Sequence, residues 1–563
     1  MHFHAKTEMP RRNTLQLGNV QPAIVIFDES HRSRSIMSHP PEPEEDRNET
    51  TLDDVKQLGL WAALGSLGYV FWVVGGMELI ERLAYYGVRT VSTIYVTRAK
   101  SAGGLGETMA TFGWLILAWN LMQMGGAVFT GGISDRHGYK QTIFVSTLIK
   151  CFGYLLMAWF HSYWGFFTGA MFLAFGTSVF KPGIQGTLIL ATSRRNSSVA
   201  WGVFYQTVNI GGWVGPLIAL HMRQTSWSMV FYTNAAFICL NLVLLLTYKE
   251  PGIENRLVRR AMVKSGAVRE TSLIRDSLRE LKKPHLYLYL IIFSLWWFMF
   301  PMIWDVLPKY VEDWVDTGAI VNTLFGPDGT RSGVAHFLLG MKEDGMTIEP
   351  EGIVNINSGM IMLTCFLFAG LSAKMRATSS LLIGTVFVVA ALALLGLSNL
   401  AWICVAGMAV FSIGEMLASP KFSEFLGNIA PSDKKAMWIG FSQIPILVGQ
   451  TLEGKLGPQL YHMFSEKDVL ARKMLVAKGM DPAQVTDTVL PVGEAFQKLV
   501  EFTGMTPAVL TRTLYDTHLV GLPWLIFAGL GVLSAGMIWA YGRWFRKFAE
   551  NEKRTQQTTQ IQL

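Results

Sequence analysis

Four ionisable side chains and one phenol lie along one face of a segment that is otherwise apolar. They are Glu78, Glu81, Arg82, Tyr85 and Arg89. At about 100° per residue on an α-helix, all five fall within roughly ±60° of one line, and apolar residues cover the opposite side. A charge at the centre of a bilayer costs about 2.5–3.5 kcal/mol on insertion scales. We therefore expect this face to meet a protein interior or a water-filled cavity, either as a structural ion-pair cluster or as a site that moves charge.

The composition indicates a protein embedded in a lipid bilayer. Half of the residues are hydrophobic and only 16% are charged, whereas soluble chains average about 25% charged residues. The net charge of +7 comes from basic residues in short loops between apolar runs, so nucleic-acid binding is not expected. The four cysteines lie in apolar segments, without a Cys-x-x-Cys or Cys/His cluster, so the sequence predicts no metal site. It has no phosphate-binding loop or nucleotide fingerprint either, and it does not look like an enzyme.

The apolar runs predict an all-α membrane protein with twelve transmembrane helices in two six-helix bundles. The expected spans are 68–97, 107–132, 139–160, 163–190, 199–221, 227–247, 287–312, 354–374, 378–398, 400–427, 436–460 and 519–544. The expected domains are a disordered cytoplasmic N-terminus (1–58), a first bundle (59–247), a cytoplasmic linker with an amphipathic helix (248–286), a second bundle (287–545) with long outer loops (313–353 and 461–518), and a polar tail (546–563).

The distribution of lysine and arginine predicts the orientation. The short loops after even-numbered spans carry these residues, as does the linker, whereas the loops after spans three and nine carry none. Basic loops stay in the cytoplasm. We therefore expect a multi-pass protein of the plasma (inner) membrane, with both termini in the cytoplasm.

The loop after span two resembles the G-x-L-A-D-R-x-G-R-K motif of the major facilitator superfamily. The matching positions are Gly131, Asp135, Arg136, Gly138 and Lys140. Small residues let two helix ends approach closely, and the Asp and the bases can lock the bundles through a helix end and an ion pair. Six spans, a cytoplasmic linker and six more spans are also that superfamily's plan. The resemblance implies a gating role for these five residues.

The segment with which we began closely resembles a signature of the proton-dependent oligopeptide transporters. Their E-x-x-E-R-F-x-Y-Y-G-x-R motif matches Glu78 to Arg89, except that Leu83 replaces the Phe. Three further matches are Gly176-Thr-Ser-Val-Phe-Lys181-Pro-Gly in span four, Phe204-Tyr-Gln-Thr-Val-Asn209-Ile-Gly in span five and Gly414-Glu415-Met-Leu-Ala-Ser-Pro in span ten. Span eight has Asn357 after an isoleucine, as that family does.

This resemblance implies how protons are used. In the family, an acid of the first span and the lysine of span four form a salt bridge that proton binding breaks, which implies a pair between Glu81 and Lys181. Glu78 and Arg82 belong to the same coupling group. Span seven of the family carries an acid near the position of Pro301, which cannot titrate, and Asp305, one turn later, is our candidate replacement. Protons are then the coupling ion, and no cofactor is expected.

The same resemblance implies a site for a short zwitterionic peptide. The candidate contacts are Arg89 and Lys181 for the carboxylate, Glu415 for the ammonium, Asn209 and Asn357 for the termini or backbone, and Tyr85 in the cavity wall. Structural alternatives remain for three of them. Asn209 could join two helices, Asn357 could cap a helix, and Glu415 could pair with a local base such as Lys421.

Three departures from the family concern the cargo. Besides Pro301, Ser442 occupies the position of a tryptophan in span eleven, and Met124 that of a tyrosine in span two. Lys150, in the middle of span three, is an extra charge without an assigned role. We predict a proton-coupled symporter that imports di- and tripeptides by alternating access and functions as a monomer. The alternatives are a transporter of another organic ion or small solute on this scaffold, or a membrane protein that senses rather than transports.

Overall fold

The computed structural model describes residues 58–562, apart from 128–129, 131–133, 135–136, 194, 255–256, 258–264, 266–278, 374, 430–437 and 439. In this part of the chain the secondary structure is helical, and the one isolated β-bridge joins Met341 to Ile348. The predicted disordered N-terminus lies outside the described residues except for Leu58. Most of the predicted linker helix lies outside them as well.

Twelve main helices occupy the positions of the twelve predicted spans. They are α1 (Tyr69–Arg89), α2 (Met109–Asn120), α3 (Tyr139–Trp159), α4 (Tyr163–Leu190), α5 (Ser197–Thr225), α6 (Trp227–Leu246), α7 (Pro284–Met299), α8 (Ile356–Ala373), α9 (Ala377–Leu397), α10 (Ala401–Ile429), α11 (Gln443–Phe464) and α12 (Leu522–Gln562). Serine and threonine start several of them: the side chains of Thr108, Ser162 and Ser226 each accept a hydrogen bond from an amide in the first helical turn, which satisfies a donor without a helical partner.

Shorter helices continue or connect the main ones. They are Leu60–Gly65, Ser92–Thr97, Met302–Asp305, Leu307–Trp314, Gly318–Phe325, Gly333–Leu339, Pro350–Val354, Lys467–Ala477, Ala495–Thr503 and Pro507–Thr517, with 3-10 turns at Lys100–Ala102 and Pro482–Val485 and a π-helical turn at Leu121–Gly125. Pro301 separates α7 from Met302–Asp305, because a proline cannot donate the backbone hydrogen bond that would continue the helix.

Within the described residues, eight helices are long and apolar enough to cross a membrane. They comprise α3, α4, α6, α8, α9, α10, α12 and α7 with its continuation to Asp305. The remaining four are α1, α2, α5 and α11. Helix α1 includes Glu78, Glu81, Arg82 and Arg89, so it carries more charge than the eight apolar helices, although the sequence places a span there. Its charges need partners from the helices around it.

The helices pack as two halves that meet along two seams. In the first half α1 packs on α5 and α6, and α3 packs on α4; in the second half α9 packs on α10 and α12, and α7 packs on α11 and α12. The two seams are formed by α2 against α11 and by α5 against α8. The close packing of α1 on α5 depends on Gly211, where a Cβ would lie 2.7 Å from the Cβ of Arg82.

Candidate functional site

A buried charge cluster lies on α1, where it faces α3 and α4. Its members are Glu78, Glu81, Arg82, Lys150 and Lys181. Arg82 pairs with Glu81 and lies 3.3 Å from Oε1 of Glu78. Both acids are fully buried, and Arg82 is 4% exposed. The amphipathic face predicted for α1 is therefore covered by protein.

The lysine that pairs with Glu81 is not the predicted one. Nζ of Lys150 lies 3.2 Å from Oε1 of Glu81, whereas Nζ of Lys181 lies 3.3 Å from Oε1 of Glu78. The predicted pair of Glu81 with Lys181 is therefore wrong in this conformation. Gly176 of α4 explains the position of Lys150, because a Cβ at Gly176 would overlap Cγ of that lysine.

The charge balance of the cluster leaves one positive charge in excess, since three bases face two acids. Lys150 is fully buried, and its Nζ also lies 3.6 Å from the ring centroid of Phe180. The side chain of Lys181, in contrast, is 35% exposed. Lys181 is thus the member that an anionic ligand could reach.

A second buried pair joins the two halves. Arg89, at the end of α1, pairs with Asp305, which is fully buried at the end of the short helix that follows Pro301. The hydroxyl of Thr93 lies 3.4 Å from the carbonyl oxygens of Trp304 and Asp305. Arg89, the predicted ligand for a substrate carboxylate, is therefore occupied by Asp305 in this conformation.

The second half contains a buried acid, Glu415 of α10, which is hydrogen-bonded to α8. Nδ2 of Asn357 donates to Oε2 of Glu415 at 2.9 Å and to Oγ of Ser412 at 3.1 Å. Among the described residues, no cation forms an ion pair with Glu415. Lys421, the local base considered above, pairs with Glu424 at 2.7 Å. Asn357 thus contacts α10 instead of capping its own helix.

Two tyrosines, Tyr86 and Tyr205, lie near Glu415, and Tyr86 also lies near the charge cluster of α1. The electrostatic neighbours of Tyr86 include Arg82 and Glu415, and those of Tyr205 include Glu415 and Tyr86. Tyr205 is 44% exposed, whereas Tyr85 is 7% exposed. In this conformation the ring of Tyr85, which is predicted to line the cavity, is buried with its centroid 4.8 Å from the guanidinium of Arg82. Sequence reasoning did not single out Tyr205, although its span-five motif includes it.

The remaining sequence candidates are Asn209 in α5 and the five motif residues between positions 131 and 140. Nδ2 of Asn209 donates to the carbonyl of Tyr205 in its own helix at 3.0 Å. Gly131, Asp135 and Arg136 lie outside the described residues. Gly138, with φ +111°, immediately precedes α3, and Nζ of Lys140 donates to the carbonyl of Tyr248 at 2.7 Å.

Ion pairs join the two halves at the end where α1 finishes and α2 begins, which we call the α1–α2 end. Arg98 pairs with Glu312 at 2.7 Å. Arg223, at the end of α5, pairs with Glu349 at 2.8 Å and with Glu351. The predicted orientation makes this the extracellular end.

The seam between α2 and α11 has polar contacts at both ends of α2. Nδ2 of Asn120 donates to the carbonyl of Gln450 at 2.8 Å, and Nζ of Lys455 donates to the carbonyl of Ala110 at 3.2 Å. Within the described residues, His, Cys, Asp and Glu form no group of three or more that could hold a metal ion.

Comparison with known proteins agrees with this architecture. The chain is 25% identical over 228 residues to "Uncharacterized transporter YclF" of Bacillus subtilis, which covers 39% of this chain and 45% of that protein. It is 24% identical over 185 residues to "Dipeptide and tripeptide permease A" of Erwinia pyrifoliae, which covers 32% of this chain and 37% of that protein. Each match therefore spans less than half of the relative.

Solved structures give the fold. The crystal structure of peptide transporter POT in complex with sulfate aligns with a TM-score of 0.57 and 16% identity, over 86% of this chain and 99% of that one. The nucleoside transporter NupG aligns with a TM-score of 0.58 and 12% identity, over 84% of this chain and 99% of that one. The predicted all-α fold of two six-helix bundles is confirmed. Because the sequence model of the Major Facilitator Superfamily matches residues 60–452, the chain belongs to that superfamily.

Proposed function

We propose that the protein is a proton-coupled symporter that imports short peptides by alternating access. One observation carries the proposal: the excess positive charge at Lys181 and the acid Glu415, which has no cationic partner among the described residues, belong to opposite halves. A peptide with free termini has a carboxylate and an ammonium that match these two groups. Such a ligand would connect both halves, and binding would then favour the conformations in which they approach each other.

The cluster on α1 supplies the proton step of this proposal. In the present conformation both acids are paired, Glu78 with Arg82 and Lys181 and Glu81 with Arg82 and Lys150. Protonation of Glu81 would remove its attraction for Lys150 and Arg82, and protonation of Glu78 would release Lys181 towards a substrate carboxylate. Proton binding, peptide binding and the movement of the halves would then be linked thermodynamically.

Sequence likeness also favours this cargo. Five motifs resemble the oligopeptide transporters, one partial relative is a dipeptide and tripeptide permease, and several solved structures with this fold are peptide transporters. We further propose a location in the plasma (inner) membrane, both termini in the cytoplasm, function as a monomer, protons as the coupling ion, and no cofactor or covalent chemistry.

A second candidate is the transport of another small organic ion on the same scaffold. Two structural observations favour it, namely the burial of Tyr85 and the pairing of Arg89 with Asp305. Together they remove two of the contacts predicted for a peptide. Under this alternative, Lys181 would still bind an anionic group.

Uptake into liposomes separates the two candidates. Purified protein should accumulate dipeptides when the lumen is made alkaline. Glu415→Gln should raise KM by about ten- to a hundredfold, because it removes a charged hydrogen bond of about 1.5–3 kcal/mol. The matched control is Glu424→Gln, whose carboxylate pairs with Lys421 and is 46% exposed, and which should keep the KM of the wild type.

Substrate chemistry provides the internal check. Dipeptides with an acetylated N-terminus have no ammonium, so wild-type protein and Glu415→Gln should handle them equally poorly. A Glu415→Gln variant with unchanged KM for free dipeptides would contradict the assigned role of Glu415. Uptake of non-peptide anions alone would replace the peptide proposal with the second candidate.

A further inference from the structure

An acid that the mechanism above does not use is buried in α11. Glu453 is fully buried, and no described residue donates a hydrogen bond to either of its carboxylate oxygens. Oδ2 of Asp305 is likewise buried without a partner. The electrostatic neighbours of Glu453 are Asp305 and Arg89. Two acids from the second half thus share one guanidinium from the first half.

Gly457 leaves the space that the carboxyl group of Glu453 occupies. A Cβ at Gly457, one turn along α11, would overlap Oε1 of Glu453 and lie 3.0 Å from Sδ of Met302. The glycine therefore leaves space in which the side chain of Glu453 lies against the short helix Met302–Asp305, on which α11 packs. Any larger residue at position 457 would displace the carboxyl group from this site.

Among the described residues, Arg89 is the cation whose charge acts on Glu453. The described residues of α2 and of Leu121–Gly125 contain no ionisable residue. The ionisable groups of α7, α12 and Lys467–Ala477 are not among the electrostatic neighbours of Glu453. Tyr85, a neighbour of Arg89, is neutral. If both acids were ionised, the site would carry an uncompensated negative charge out of contact with water.

We infer that Asp305 and Glu453 form a second proton-binding site, in which two carboxyl groups share one proton beside Arg89. A buried charge without a partner is costly, and two carboxyl groups at one site retain a proton for that reason. One shared proton leaves a single negative charge opposite Arg89, so the site is neutral. The proton would also supply the hydrogen bond between two groups that otherwise only accept.

The site connects proton binding to the opening of the α1–α2 end, and this part of the inference rests on the proposed function. Arg89 belongs to α1 and both acids belong to the second half, so separation of the halves at this end would withdraw the guanidinium that they share. The acids would then bind a second proton from the newly admitted solvent, and closure would return it. No bond other than the O–H bond forms or breaks.

Infrared spectroscopy and acid–base titration of the purified protein test the site without any substrate. Wild-type protein at neutral pH should show a protonated-carboxyl band that both Glu453→Gln and Asp305→Asn lose. Each variant retains one acid opposite Arg89, and that pair is neutral without a proton. At neutral pH each variant should therefore hold one proton fewer per molecule than the wild type, whereas Glu424→Gln should hold the same number. Glu424→Gln is the matched control and should retain the band.

The outcomes are separable. If Glu453→Gln is folded by size-exclusion chromatography and keeps the band and the proton count, the inference is overturned. If Glu453→Gln does not fold, the same loss or retention in Asp305→Asn decides the question. A wild-type band that sodium or lithium ions abolish at constant ionic strength would assign the site to a metal cation and overturn it. If the band behaves as expected but no peptide is taken up, the proposed function fails and the proton site stands.

Discussion

Replacement of Lys150 by methionine should test whether its pair with Glu81 holds the charge cluster together. The two side chains are 0% and 1% exposed, and Nζ lies 3.2 Å from Oε1. At an effective dielectric constant of about 20, Coulomb's law gives about 5 kcal/mol for charges at this distance. Loss of one partner of a buried pair typically costs about 3–5 kcal/mol. Because Arg82 remains paired with Glu81, we expect the lower end, about 3 kcal/mol.

A double-mutant cycle in detergent isolates this interaction. The free energy of unfolding should fall by about 3 kcal/mol in Lys150→Met, and by much less when the same substitution is made in a Glu81→Gln background. Lys498→Met is the control, because Lys498 pairs with Glu501 at 3.8 Å on the surface and should contribute less than about 1 kcal/mol. A coupling energy below about 1 kcal/mol between positions 150 and 81 would refute the pairing.

Three other substitutions have defined consequences. Arg223→Gln should leave two acids without their cation and speed hydrogen exchange in Pro350–Val354, whereas unchanged exchange would mean that this contact does not hold the α1–α2 end closed. Gly176→Ala should destabilise by about 1–3 kcal/mol through overlap with Lys150, and calorimetry showing full stability would contradict that contact. Burial raises the pKa of Glu466 above its ordinary value of 4.5, so the stability that this group contributes at low pH is lost as pH rises. In thermal unfolding measured from pH 4.5 upward, the melting temperature of Glu466→Gln should fall less steeply with pH than that of the wild type. Equal slopes in the two proteins would contradict this prediction.

The positions of the helices could be predicted because a bilayer demands long apolar segments with few charges. The positions of α3, α6 and α9 follow from this requirement alone, whereas α12 continues to Gln562, past the predicted end of its span. The charged face of α1 was also visible, since it depends on the rotation per residue within one helix. Both features are local, and tertiary packing does not alter them.

The partners of the charges could not be predicted in the same way. Whether Glu81 pairs with Lys150 or with Lys181 depends on how three helices are rotated against one another. It also depends on Gly176, because the absence of a side chain there leaves space for Lys150. The break at Pro301 was visible in the sequence, but its effect of placing Asp305 against Arg89 was not. Glu453 has Lys455 close by in sequence, so it resembles an ordinary interfacial acid until its burial is known.

Proton-driven accumulation of a dipeptide tests the central claim most directly, namely that buried charges of α1 exchange partners with protons during transport. Liposomes containing wild-type protein should concentrate a labelled dipeptide when the lumen is alkaline. Glu81→Gln should abolish this accumulation and retain counterflow exchange, because the site remains but its proton does not. Unchanged accumulation in Glu81→Gln would contradict the account.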